Sequence, residues 1–341
     1  MRSIKPDRIR SRVGKGAGVC VFAHPAILSS GMLLGGSIRR RLALGVRLVC
    51  LAGLAAWALL TPGFMTPLSI FSLLTTVSLI GCVAVGMTFI TLTGNIMSLA
   101  LGATLSAAAM VFLASLSLGT GTAFLLALLF GTVITGLQGA IVGWFRANPL
   151  LVSIAALGLI IGAAEVLTGG TRVYPATRGF AAFKGRIAGI PVEVLVFFAT
   201  VILGQLIVSW TRIGRAMQMT GSNPRAAEVA GIKVPHIVTV AYLLAGAFAC
   251  VSGVLLAARY GSGDMELGSG YDYGAIAAVL VGGTAIQGGA GSVLRTLVGA
   301  TVIAAVQVCL LLRGFSDQLQ YFITGLIVLG VVMLHTLGER A

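Results

Sequence analysis

Apolar residues run along this chain in ten long stretches, near 43–60, 68–92, 97–117, 122–145, 150–168, 191–210, 236–259, 273–287, 293–312 and 318–336. Most approach the length at which a helix, rising 1.5 Å per residue, crosses ~30 Å of hydrocarbon. Strict alternation of apolar and polar positions is absent from them, which argues against a transmembrane β-barrel. The pattern predicts an all-α polytopic membrane protein of about ten transmembrane helices. Two stretches depart from the norm. The first is short and carries Arg47 near one end, where a long side chain can snorkel. The eighth is short and runs into Gly288-Gly289, so the central helices are expected to include broken or shortened ones. The spans leave no room for a second folded domain. Residues 1–42 read as a basic cytoplasmic tail, 43–336 as the transmembrane unit and 337–341 as a cytoplasmic C-terminus.

Composition agrees and adds orientation. Of 341 residues, 57% are hydrophobic and 9% charged, against about 25% charged in a soluble domain. That excludes an ordinary soluble enzyme and a disordered chain. The net charge is +14, distributed unevenly. Arg2, Lys5, Arg8, Arg10, Arg12, Lys15 and Arg39–Arg41 all precede the first span. Lys and Arg stay on the cytoplasmic side during insertion. With both termini inside, 17 of 23 Lys and Arg fall on that side. Of the six outside, four crowd the loop 169–190, a local exception. The basic excess therefore reads as a topology signal with some attraction to anionic membrane lipid, and not as nucleic-acid binding. The five cysteines are dispersed and the three histidines isolated, so no metal site and no bound cofactor is expected.

Glycine-interrupted spans point to a conduction path, because unwound backbone at membrane depth is tolerated beside a cavity. Two segments qualify: Thr93, Gly94 and Asn95 with Ser98, and Gly288, Gly289, Gly291 and Ser292. Their polar atoms are neutral, which suits a hydroxyl-rich solute; close helix packing through small residues stands as the other reading. Gln138, Asn148, Gln205, Gln287 and Gln307 read first as interhelical hydrogen-bonding groups. Glu165 is the one acidic residue expected well inside a span, near its outer end. Leu101–Val111 and Val298–Val308 share six of eleven residues, a candidate internal repeat.

The inner segment 211–235 carries the clearest local signal. Asn223 suits an N-cap, Pro224 the first helical position, and Ala226, Ala227 and Ala230 favour helix. Gly231 suits the left-handed position that ends a helix, and Pro235 stops continuation. The result is a short cytoplasmic helix of two turns, unstable alone, which must dock on the chain itself or on a partner.

Thr211-Arg212-Ile213-Gly214-Arg215-Ala216, then Gly221-Ser222-Asn223-Pro224, Ala226-Ala227 and Gly231-Ile232, resemble the permease subunits of bacterial sugar ABC importers of the ribose type. The stretch from Ala275 to Thr284, with Gly288-Gly289-Ala290-Gly291-Ser292, resembles a second signature of that family. The likeness spans roughly 68–336. It implies a transport subunit in the bacterial inner membrane, paired with a second permease subunit as a homodimer or heterodimer. It also implies two cytoplasmic ATPase subunits using ATP and magnesium, and a periplasmic solute-binding protein. Arg212, Gly214, Arg215, Gly221, Asn223, Pro224, Ala226, Ala227, Glu228 and Gly231 would then form the ATPase-coupling loop. The chain departs from the pattern at Arg225, where the family often has Glu, and at Met97, where it commonly has an acidic residue. Glu228 offers a carboxylate one turn later. Lys5, Lys15, Lys184 and Lys233 are each followed by a residue other than Ser or Thr, so the chain lacks a Walker A motif. A branched-chain amino acid permease of the same superfamily and an ion-driven transporter are the alternatives.

Overall fold

The computed structural model describes residues 63–340 except 96, 176–182, 184 and 188. The tail 1–42 and the first expected span lie outside the described residues. The helices are α1 (Pro67–Leu92), α2 (Leu101–Ala114), α3 (Thr120–Phe145), α4 (Pro149–Thr168), α5 (Val192–Trp210), α6 (Arg212–Ser222), α7 (Pro224–Val229), α8 (Val234–Tyr260), α9 (Tyr271–Val281), α10 (Val293–Leu312) and α11 (Asp317–Arg340). A 3₁₀ turn, Leu116–Leu118, follows α2. A small hairpin pairs Arg186–Ile187 with Ile190–Pro191 ahead of α5. The fold is all-α, and α1, α3, α4, α5, α8 and α10 are each long and apolar enough to cross a membrane.

The remaining nine expected stretches all correspond to helices, yet two are cut short. The stretch 97–117 becomes α2, whose 14 residues begin only at Leu101. The stretch 273–287 becomes α9, which spans 11 residues and stops at Val281. Such helices reach about 21 Å and about 16 Å, less than the hydrocarbon thickness. The shortness of the eighth stretch, and so of α9, is expected from the sequence; the late start of α2 is not, because hydropathy does not separate a helix from a buried extended segment. At the other extreme, α11 continues to Arg340, beyond the expected end of its span.

Helix starts follow from caps. Thr66 accepts from Ser69 N–H (3.3 Å) with Pro67 behind it, and Asn148 accepts from Leu150 N–H (3.0 Å) before Pro149. Of the six long helices α1 and α8 are the most enclosed, while α4 buries only Ser153 and Ile160. Along the α3–α8 seam, Gly139 lies against Tyr242 and Gly143 against the Pro235 backbone. Small residues let the helices approach where lipid offers no hydrophobic drive. Polar cross-links add to this: Ser252 Oγ donates to Leu79 O (2.8 Å), and the hydroxyls of Thr88 and Thr296 pair at 2.8 Å.

Between α8 and α9 the chain runs back along α2 without forming a helix. Gly263 and Val173 exchange backbone hydrogen bonds of 2.8 and 2.9 Å. Ser106 Oγ accepts from Gly268 N–H (2.7 Å) and lies 3.2 Å from Met265 O. Asp272, in the first turn of α9, accepts from Gly102 N–H at 2.5 Å. The residue preceding α2, Ala100, makes no side-chain cap; the carboxylate of another helix caps it instead. Asp272 lies one residue ahead of the span expected for this region, yet within the first turn of α9. Glu165 is exposed near the end of α4.

Candidate functional site

Two elements at one end of the bundle hold the predicted coupling residues. At the end of α5, Thr211 caps α6, its hydroxyl accepting from Gly214 N–H (3.1 Å). A side chain at Gly214 would strike the backbone of Ile207 and Val208, so the sharp α5–α6 corner requires glycine there. The segment 211–222, expected as loop, is mostly the helix α6, with Gly214, Met217 and Thr220 buried at threefold spacing. Arg212 and Arg215 point outward.

After α6 the chain turns at Asn223 and forms α7, six residues long and just short of the two turns expected. Asn223 Oδ1 accepts from Ala226 N–H (3.1 Å), and Pro224 opens the helix. The helix ends as its sequence predicts. Gly231 has φ +83°, its N–H bonds to Glu228 O (3.0 Å), and Ile232 N–H bonds to Ala227 O (3.0 Å). This double closure is the Schellman arrangement. Ala227 packs inward, while Arg225, Ala226 and Ala230 are exposed. Val229 is 91% exposed, an apolar side chain at the tip of a protruding helix. Sequence reasoning missed it, although its place three residues after Ala226 puts both on one face.

Glu228 turns out to serve this chain's own surface. It pairs with Arg146 at 3.0 Å, the residue that ends α3 in a left-handed conformation (φ +50°). Among the described residues Arg225 is the charge on α7 without an ion pair, and a carboxylate at Glu228 does not simply replace the family's acidic residue before the alanines.

Between α7 and the bundle lies a cavity of about 810 Å³. Arg146, Asn148, Asn223, Arg225 and Glu228 stand at its exposed mouth, and Thr93, Val142, Thr220 and Val238 form its buried wall. Gly94, Asn95 and Gln287 also line it. The first of the two predicted pathway segments therefore meets the coupling segment here. The second does so differently. Gly288 lies against Gly94, and Gly289 against Ser222, with Gly289 N–H bonded to Leu92 O (3.1 Å). Gly221 touches Leu92 O, Gly289 N and Gly94 N. Three chain segments thus cross backbone on backbone, with Gly288 and Gly289 in the crossing. Gly291 packs on Thr284, Ser292 caps α10 by accepting from Arg295 N–H (3.3 Å), and Ser98 is buried, accepting from Ala100 N–H (3.3 Å). Met97 is buried in the same apolar cluster as Val142, Val238 and Tyr242.

The polar residues expected to bridge helices divide. Gln205 Oε1 accepts from Leu294 N–H (3.3 Å), joining α5 to α10. Asn148 caps α4. The amide of Gln138, though buried, has no hydrogen-bond partner on either polar atom. Among the described residues no group of three or more His, Cys, Asp or Glu side chains is placed to hold a metal.

Comparison with known proteins gives the geometry its context. The chain is 31% identical to the ribose import permease protein RbsC of Bacillus subtilis over 282 residues, 81% of this chain and 87% of that one. It is 30% identical to RbsC of Escherichia coli K12, covering 81% and 88%. The autoinducer 2 import system permease protein LsrD of Escherichia coli SMS-3-5 is 29% identical, covering 74% and 79%. No solved structure gave a match. Residues 69–332 match the family described as branched-chain amino acid transport system/permease component, and the chain belongs to that family of ABC importer permeases.

Proposed function

We propose that this chain is the membrane subunit of an ABC importer and carries a neutral, hydroxyl-rich solute of sugar type across the bacterial inner membrane. Two ATPase subunits binding ATP and magnesium supply the energy, a periplasmic binding protein delivers the solute, and a second permease copy or relative completes the path. What supports this reading most is α7. It is too short to be stable alone, yet it is capped at both ends, held by Arg146–Glu228, and presents Ala226 and Val229 outward. An apolar tip of that kind fits a groove on a cytoplasmic partner. Arg212, Gly214, Arg215, Gly221, Asn223, Pro224, Ala226, Ala227, Glu228 and Gly231 build and hold that tip. The α7 end is then cytoplasmic, and both termini lie inside.

The solute class is supported by the cavity lining inside its mouth, where Thr93, Asn95, Thr220 and Gln287 are neutral hydrogen-bonding groups, and by the relatives named for ribose. The family's description names branched-chain amino acids, so the two cargoes are tested together. Proteoliposomes holding the chain, its cognate ATPase subunits and its binding protein should take up a neutral sugar only with ATP inside. Val229→Asp should lower ATPase association at least tenfold. Leucine uptake without sugar uptake would favour the second cargo. Uptake by the chain alone on an ion gradient, or full ATPase association by Val229→Asp, would defeat the reading.

A further inference from the structure

The wall of the cavity leads to a second polar level. Val142 on α3 and Val238 on α8 line the cavity. One helical turn farther into the bundle on the same faces stand Gln138 and Tyr242, since residues four apart share a helix face. By helical rise each lies about 10 to 12 Å from its helix's end at the cavity side. Gln138 is 4% exposed and Tyr242 1%. Neither polar atom of the amide, nor the phenol oxygen, reaches a hydrogen-bond partner. Thr220 Oγ1, on the cavity wall, is likewise buried and unpaired. Burying such groups unpaired is unfavourable, and apolar residues of the same shape would fill the space at less cost. Neither Gln138 nor Tyr242 lines the cavity itself; both stand behind its apolar wall on the α3–α8 seam, where their polar atoms lack the partners that a ligand's hydroxyls would supply.

We propose that Gln138 and Tyr242 form a hydroxyl-binding station on the transport route, separated from the cavity by an apolar collar that includes Val142, Val238 and Met97. The inference rests on the solute class given above and assigns that class its contacts. The amide offers donors and an acceptor, and the phenol offers one of each, so together they match hydroxyls that also donate and accept. Charge is kept away. Helices α1, α3 and α8 contain no acidic residue, and their one arginine, Arg259, lies in the last turn of α8, far from this level. A neutral polyol fits such a site; an amino acid zwitterion would find no partner for either charge. Met97 takes its meaning here: an apolar side chain belongs to the collar, where a carboxylate would not.

The test uses the complete importer in proteoliposomes, its binding protein saturated in turn with tritiated pentoses and hexoses and with their monodeoxy analogues. A site built to bond a hydroxyl discriminates against a ligand lacking it. The unaltered chain should prefer one sugar over at least one of its deoxy analogues. Gln138→Leu and the isosteric Tyr242→Phe should each shrink that ratio at least fivefold, while Leu137→Ala on the exposed face of α3 should preserve it. If Gln138→Leu fails to insert, Tyr242→Phe still decides. Sugar uptake with an unchanged ratio in the variants, or no discrimination by the unaltered chain, would overturn the station alone. No uptake of any sugar by the unaltered chain would overturn the solute class as well.

Discussion

The two ends of the bundle are held by different physics. At the α7 end, Gly94, Gly221 and Gly288 bring three segments together backbone on backbone, and the exposed Arg146–Glu228 pair there is an addition to that crossing. At the opposite end the joints are polar. Arg259 pairs with Glu193 at 3.5 Å, Arg172 with Asp264 at 2.9 Å, and one bridge joins Val173 to Gly263. A steric crossing is insensitive to salt and intolerant of added atoms. Ion pairs tolerate bulk but respond to screening. The contrast also bears on the charge pattern: Arg172 and Arg259 are two of the six cations expected on the outer side, and each has a carboxylate partner.

The largest effect that would break the comparison belongs to Gly221→Val. The added carbons would meet Leu92 O and Gly289 N, which are backbone atoms unable to rotate away. A loss of about 3 kcal/mol, the upper end of ordinary overpacking, is expected, read as a large drop in melting temperature in detergent that added salt leaves unchanged. A melting point near that of the unaltered chain would mean that the crossing is looser than described. Next comes Arg259→Gln. It strands Glu193, whose side chain is 10% exposed, while Arg259 itself is 38% exposed. A fully buried pair broken this way costs about 3–5 kcal/mol; partial exposure brings the expectation to about 1–2 kcal/mol. Glu193→Gln in the same background should restore most of it. The smallest effect sharpens the contrast: Arg172→Gln removes a pair that is 59% and 25% exposed. Its cost should be under about 1 kcal/mol and should fade in high salt, seen as melting curves of the two chains that converge as salt is raised.

Sequence revealed most of the long helices and the start and end of α7, because both are written in local chemistry. Lipid demands long apolar runs, and Asn223, Pro224 and Gly231 each act on backbone within a few residues. What it concealed depends on distant partners. Helix α6 was hidden because Gly214 and Gly221 lower helix propensity; they are present because backbone from elsewhere passes close by. The late start of α2 was hidden because its cap, Asp272, comes from another helix. The glycines at 288 and 289 suit either a cavity lining or close packing, and the segment from Leu92 to Gly94 that lies against them is distant in sequence. Gln138 gave no sign in sequence that its amide would lack a partner.

The glycine crossing has a mechanical consequence. Elsewhere in a protein a shift of an ångström is taken up by side chains changing rotamer. Where the segments at Gly94, Gly221 and Gly288 meet, backbone bears directly on backbone. A displacement of the far end of α6 reaches the last turn of α1 and the approach to α10 without slack, as through a joint whose bearings have no play.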